Sequence, residues 1–302
     1  MRTPPLAASI PGVVDVIHVR GAAAGNAAPR LLLEVPHGAT RTAHFRDLRA
    51  ALHGEYPADL VDFFHVNTDV GAPELAVRTA ERVVTALPEC AAVVLRCCIP
   101  RTFVDCNRRI DATVPGMTPG LHAWVRDPRD KALLLARYEA YRRLVEQTYA
   151  AVCGSDGLAW MVHSYAPRSI DVPVDDRIVD HLRKAYQPDS LHTWPLRPEV
   201  DFIARTPEGQ DLAASVLLHE ATAAFAAAQI TTTVNGTYPL HPSTLAHEFA
   251  VRHAGRTLCL EVRRDLLVPE FTPFAEMCAD PARTDRIAAP LAAATVAALR
   301  AR

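Results

Sequence analysis

Glycine is scarce in this chain, 13 of 302 residues, and none of it forms a GxGxxG or GxxxxGK[ST] pattern behind an apolar run. Those patterns let backbone N–H groups close around phosphates, so a Rossmann dehydrogenase and a P-loop nucleotide site have no support. No apolar stretch approaches the roughly 20 residues that span a bilayer. The N-terminus, MRTPPLAASIPG, also lacks the apolar run of a signal peptide, and a cytoplasmic location is expected. Charge of one sign is missing too. The 32 Lys and Arg against 34 Asp and Glu leave a net charge of −2, too weak a field to hold nucleic acid or an anionic membrane. The expected partner is a small molecule; the oligomeric state is left open. Seven cysteines, an odd number without CxxC spacing, argue against a disulfide framework and a cysteine-built zinc site. His247-Glu248 lacks the second histidine of HExxH, so the pair reads as ordinary helix surface.

What is present is an ordinary globular composition, 49% apolar and 22% charged, which can build a core. Strand-like apolar runs at 13–19, 31–36, 91–97, 158–164, 230–234 and 257–262 alternate with helix-length segments. The helices are expected at about 73–86, 128–152, 174–186, 208–227, 243–252 and 283–301, with Pro73 and Ser243 where helices begin. This alternation predicts an α/β fold with a mostly parallel sheet covered on both faces, a three-layer αβα arrangement. One domain over 1–302 is expected. The proline-rich stretch 187–207, containing Trp194-Pro195-Leu196-Arg197-Pro198, reads as an irregular excursion, and loops of that length are often functional.

Ligands of open α/β sheets bind beyond the carboxyl ends of the strands. Four apolar runs lead there into polar residues: His37-Gly38-Ala39-Thr40, His163-Ser164-Tyr165, Glu261-Val262-Arg263-Arg264, and the segment Arg101 to Arg108 with Asp105 and Asn107 inside it. Two histidines from separate strand ends plus one carboxylate make a three-ligand zinc site with a fourth position open to water. Glu261 suits a general base that takes the water proton, and Arg101 suits stabilisation of an oxyanion. Asn107-Arg108 offers an amide and a planar fork suited to a substrate carboxylate. Asp105 reads as the residue that orients Arg101 or Arg108. Arg168, five residues after His163, is a further candidate for substrate binding.

Pro36-His37-Gly38, the stretch Asp69 to Ala76 with Gly71 and Glu74, Arg101-xxx-Asp105-x-Asn107-Arg108, His163-Ser164 and Leu260-Glu261-Val262-Arg263 occur in an order that resembles the N-formylglutamate amidohydrolase family, over roughly residues 30–268. The resemblance implies a mixed sheet and a zinc-exopeptidase architecture, similar to zinc carboxypeptidases and aspartoacylases. It implies one Zn2+ per chain held by His37, His163 and a carboxylate, Asp69 in preference to Glu74. Aspartoacylases carry a ligand glutamate three residues after the first histidine; this chain has Thr40 there. The implied activity is zinc-dependent hydrolysis of an N-acyl amino acid or a related small amide bearing a carboxylate.

Three other readings stay open at this level. A carboxypeptidase-like peptidase would share the machinery. A non-catalytic binding protein could keep only the carboxylate pocket, which Thr40 leaves possible. A cysteine nucleophile among Cys97, Cys98 and Cys106 would need histidine activation. His241, in Tyr238-Pro-Leu-His241-Pro, is a minor candidate for substrate contact.

Overall fold

The structure, a computed structural model, describes residues 8–111 and 119–302. The described chain runs β1 (Val14–Arg20), β2 (Leu31–Val35), α1 (Thr42–Ala50), α2 (Leu60–Asn67), α3 (Ala72–Ala86), β3 (Ala91–Cys97), α4 (Pro128–Cys153), β4 (Leu158–Tyr165), α5 (Ile178–Ala185), α6 (Pro188–Leu191), β5 (Val200–Ile203), α7 (Ser215–Ala227), β6 (Thr232–Val234), α8 (Leu245–Arg252), β7 (Thr257–Arg263) and α9 (Pro281–Arg300). The strands form one mixed sheet in the order β1-β3-β2-β4-β7-β5-β6. Its centre, β3-β2-β4-β7, is parallel; β1 runs antiparallel to β3 and β5 antiparallel to β7.

The sheet is covered on both faces, which is why its central strands read as unbroken apolar runs. Alternate residues divide between two cores. Leu31, Leu33, Trp160, Val162, Leu258 and Leu260 pack with α3, α7 and α9 on one face. Leu32, Leu95, Met161 and Cys259 pack on the other with residues of α1, α2, α4, α5 and α8. Three layers, α/β/α, result. On the second face Glu34 is fully buried; the hydroxyls of Tyr141 and Tyr149 on α4 donate to its two oxygens at 2.7 and 2.8 Å. Burial pushes its carboxyl up despite those donors.

Several boundaries differ from the sequence expectation. Within 187–207 lie α6 and the short strand β5, so part of that stretch is regular and joins the sheet. α8 is capped by the Thr244 side chain, which accepts from His247 N, and not by Ser243. α1 and α2 occupy a segment in which no helix was expected. Among the described residues no helix is long and apolar enough to cross a membrane.

Candidate active site

From β2 the chain goes to β3 on one side and later to β4 on the other, so the sheet reverses its order at the β2 and β4 carboxyl ends, the position at which open α/β sheets bind ligands. The β4–β7 register pairs His163 with Glu261, and the β5–β7 register pairs Glu261 with Asp201. Their neighbours Val162, Leu260, Val262, Val200 and Phe202 face the α3–α7–α9 core, so the three polar residues form a row on the opposite face.

His37 lies just beyond β2. Gly38 follows because a Cβ there would come within 2.6 Å of the Arg96 side chain and 3.0 Å of the Cys97 carbonyl. Asp69 lies between α2 and α3, and its N–H reaches the His37 carbonyl at 3.4 Å. Gly71 makes the turn into α3 with φ of 84°, and a Cβ there would press on Leu267 at 2.6 Å.

These turns bring three donors together. His163 Nδ1 lies 2.8 Å from Asp69 Oδ2, His37 Nδ1 lies 3.2 Å from the same oxygen, and the two Nδ1 atoms are 3.2 Å apart. All three residues are buried, and they are the one such cluster among the described residues able to hold a metal ion. Zinc bonds of about 2.0–2.2 Å at tetrahedral angles separate donors by about 3.4 Å, so the triangle, with sides of 2.8, 3.2 and 3.2 Å, would have to open by a few tenths of an ångström to admit the cation. The donor chemistry, two imidazoles and one carboxylate, also fits. Burial pushes the Asp69 carboxyl up, but the adjacent His37 and His163 outweigh it and hold it far below the usual carboxylate range. Glu74, the other candidate, instead accepts from Arg41 at 3.1 Å on the first turn of α3.

Asp105 ties the cluster to the next segment. His37 Nε2 donates to its Oδ1 at 2.7 Å, Arg101 Nη2 donates to its Oδ2 at 3.0 Å, and its Oδ1 also accepts the Asn107 N–H at 2.9 Å. One carboxylate thus orients an imidazole, a guanidinium and the following turn; the sequence had indicated only the guanidinium. Burial raises its carboxyl, but His37 and Arg101 prevail and hold it well below its ordinary value. Arg101 Nη1 stands 3.9 Å from Asp69.

Asn107 Oδ1 accepts from Ala246 N at the start of α8, which turns its amide nitrogen inward to 3.4 Å from His163 Nε2. Arg108 donates to Ser243 Oγ at 3.0 Å and has no carboxylate within ion-pair distance among the described residues. His241 is engaged with the same Ser243 hydroxyl at 2.8 Å.

Glu261 is partly buried beside the cluster. Burial pushes its carboxyl up to about 7, with Asp69 reinforcing and His163 opposing, which places it where a general base works best at neutral pH. Arg263 pairs with Asp265 at 2.8 Å and Arg264 approaches Asp69 at 3.6 Å, while Arg197 and Arg101 act on Glu261 electrostatically.

The sequence missed Arg197, Tyr238 and Asp201. Asp201 accepts from Thr233 Oγ1, Gly236 N and Thr237 N, folding the loop that carries Tyr238. Arg197 donates to the Tyr238 hydroxyl at 2.7 Å and lies over the Tyr165 ring at 5.0 Å. Tyr238 is 42% exposed, yet the desolvation of its phenol against the site pushes it up, and Arg197, Glu261 and Arg101 all act on it. The length of the 187–207 stretch was the signal for Arg197 and Asp201; for Tyr238 it was the nearby His241. Arg168 donates to the Trp194 carbonyl at 2.6 Å, which makes it a brace of that stretch.

Cys97, Cys98 and Cys106 are buried. Burial pushes the Cys97 thiol well above its ordinary value and Cys98 up to about 12, so the reactive thiolate is disfavoured. Cys278 is exposed and takes a hydrogen bond from Arg41 at 3.0 Å. Iodoacetamide at neutral pH is expected to label Cys278 first and leave turnover intact; mass spectrometry of the labelled protein checks both. Turnover lost in step with labelling of a buried cysteine would restore the cysteine mechanism.

Burial lowers the imidazole of His122 to about 4. A histidine whose folded value lies below its unfolded value of about 6.5 is favoured neutral by the fold. Its contribution is complete above pH 6.5 and is lost as pH falls toward 4. Between pH 7 and 4.5 this amounts to about 2 kcal/mol. His122→Gln should therefore lose less stability over that interval in urea titrations, and an unchanged loss would contradict the account.

No protein-family model matches the sequence, and no curated protein is similar to it in sequence. Solved structures do match in three dimensions. N-formylglutamate amidohydrolase from Ralstonia eutropha JMP134 superposes with a TM-score of 0.58 at 15% identity, over 96% of this chain and 98% of that one. The gene product Atu2144 from Agrobacterium tumefaciens superposes with a TM-score of 0.55 at 17% identity, over 96% and 95%. The chain shares their fold. The three-layer α/β architecture, expected from the alternation of elements, and the mixed sheet, implied by the resemblance, are thereby shown over nearly the whole length.

Proposed function

We propose that the protein is a metal-dependent amidohydrolase that cleaves the amide of an N-acyl amino acid, of the N-formylglutamate kind or a related small amide bearing a carboxylate. The observation that carries this reading is the buried His37–Asp69–His163 triangle with Glu261 beside it. The likeness in fold to an N-formylglutamate amidohydrolase supports it. Held by those three donors, a zinc ion supplies Lewis acidity and brings the pKa of water toward 7.

The chain's own residues do the rest. Asn107 and Arg108 bind the substrate carboxylate; Arg108 donates to Ser243 and among the described residues has no carboxylate within ion-pair distance, Asp105 acting on it from farther off. Arg197, likewise without a carboxylate partner within ion-pair distance among the described residues and fixed by Tyr238, meets a second anionic group. Glu261 takes a proton from the attacking water and returns it to the leaving nitrogen. Arg101, held by Asp105 and the Asn67 carbonyl, faces the charge that develops on the carbonyl oxygen. The binding-protein reading drew on Thr40, yet Asp69 brings a carboxylate to both histidines from another loop.

The test is release of free amine from N-formyl- and N-acetylglutamate by zinc-supplemented protein, against the same compounds with the α-carboxylate amidated. Amidation, or Arg108→Met, should lower kcat/KM about 100-fold, the scale of a lost charge-assisted contact of about 3 kcal/mol. Indifference to amidation would sink the carboxylate assignment. Equal turnover of substrates longer by one residue would favour a peptidase.

A further inference from the structure

We infer that the stacked pair His122–Trp124 is a positioning element for Arg101. This rests on the reading above in which Arg101 faces the reacting carbonyl. Arg101 sits in a turn just beyond β3, closed by the Phe103 N–H on the Pro100 carbonyl at 3.0 Å, where no strand ladder holds the backbone. Carbonyls buried in such a turn need donors from elsewhere. His122 Nε2 lies 3.0 Å from the Arg101 carbonyl, and Trp124 Nε1 donates to the next carbonyl, Thr102, at 3.1 Å. A carbonyl only accepts, so the His122 proton resides on Nε2.

The two rings stack at 4.3 Å and 6°, and Phe63 of α2 sets its edge against both, at 5.9 and 5.7 Å. His122 is 4% exposed and Trp124 1%. The same stretch continues along the site: Leu121 bridges Val104, and the Asp105 N–H donates to the Gly120 carbonyl at 2.7 Å. Residues 120–124 therefore line the backbone of 101–105 from the turn to the carboxylate. At its other end the Arg101 guanidinium is pinned by Asp105 and the Asn67 carbonyl. Packing alone would be served by any flat apolar ring. Two N–H groups aimed at successive carbonyls do more, because a guanidinium fixed at both ends needs no reorganisation when charge develops in front of it.

The test uses the zinc-supplemented full chain with His122→Phe, which keeps a ring and loses the donor, His122→Gln, whose amide nitrogen replaces Nε2, and Trp124→Phe. Two readouts are taken: kcat and KM on the N-acyl amino acid, and the exchange rate of the Arg101 Nε–H with solvent by 15N NMR, assigned through Arg101→Lys. His122→Phe should lower kcat about 10- to 100-fold with KM within about twofold and metal content unchanged, and should speed Arg101 exchange by about tenfold or more. His122→Gln should restore both to within about threefold, and Trp124→Phe should show a smaller form of the same change. Unchanged exchange in His122→Phe, or a glutamine variant no better than phenylalanine, overturns the inference. The exchange measurement needs no substrate, so it decides the point even if no acyl amino acid is turned over, a result that would count against the proposed function instead.

Discussion

Alanine at His37 or at His163 is expected to empty the metal centre. Elemental mass spectrometry of the zinc-supplemented wild type should find about one metal ion per chain, and each variant should fall close to none. The physical reason is the small donor set. Three side chains supply all the donors of the cluster, so each deletion removes a third of them and opens the buried space to water. Losing a residue that only orients a ligand typically costs 10- to 100-fold in affinity, and losing the ligand itself should exceed about 100-fold. Asp105→Asn provides the internal scale. Asp105 accepts from His37 Nε2 at 2.7 Å without belonging to the triangle, so its variant should fall in the 10- to 100-fold range and retain metal at high supply. A wild type that takes up no metal, or histidine variants that keep it, would remove the basis of the hydrolytic reading.

Glu261→Gln is expected to remove most turnover while leaving metal content untouched. The change keeps the shape and removes only the capacity to take a proton. General acid–base catalysis contributes about 10²- to 10⁴-fold, so kcat should drop by that range with little change in KM. Glu261 lies one strand over from His163, in register with it, and is not one of the three donors, so the ion has no reason to leave. Turnover within about threefold of wild type would exclude Glu261 as the base; loss of metal together with turnover would make it a ligand.

How much of this was readable in advance can be seen residue by residue. His37 and His163 stood out because each follows an apolar run, and a strand's end is a place that sequence can mark. Asp69 and Glu74 could be narrowed but not separated on spacing alone, since both flank the start of α3. Only the fold shows that Asp69 turns back onto His37 while Glu74, a helical turn further on, faces Arg41. Asp105 was legible as a partner of Arg101, four residues away, but its bond to His37 spans 68 residues and leaves no local trace. β5 escaped notice because it has four residues with a carboxylate among them, and its strand character comes from pairing with β7.

The sequence by itself determined the class of fold and where along the chain the chemistry would fall. Apolar runs bury themselves in a central sheet wherever they are long enough, and polar residues at their ends have only the crevice to face. The tertiary structure alone decided which residues meet. Parallel pairing set Glu261 beside His163 across 98 positions of chain, the Asp201 contacts folded Tyr238 into the neighbourhood of Arg101 and Glu261, and residues 120–124 closed against the Arg101 turn. Those contacts depend on strand register and loop closure, which are set by the packing of the whole molecule and not by any neighbour in sequence.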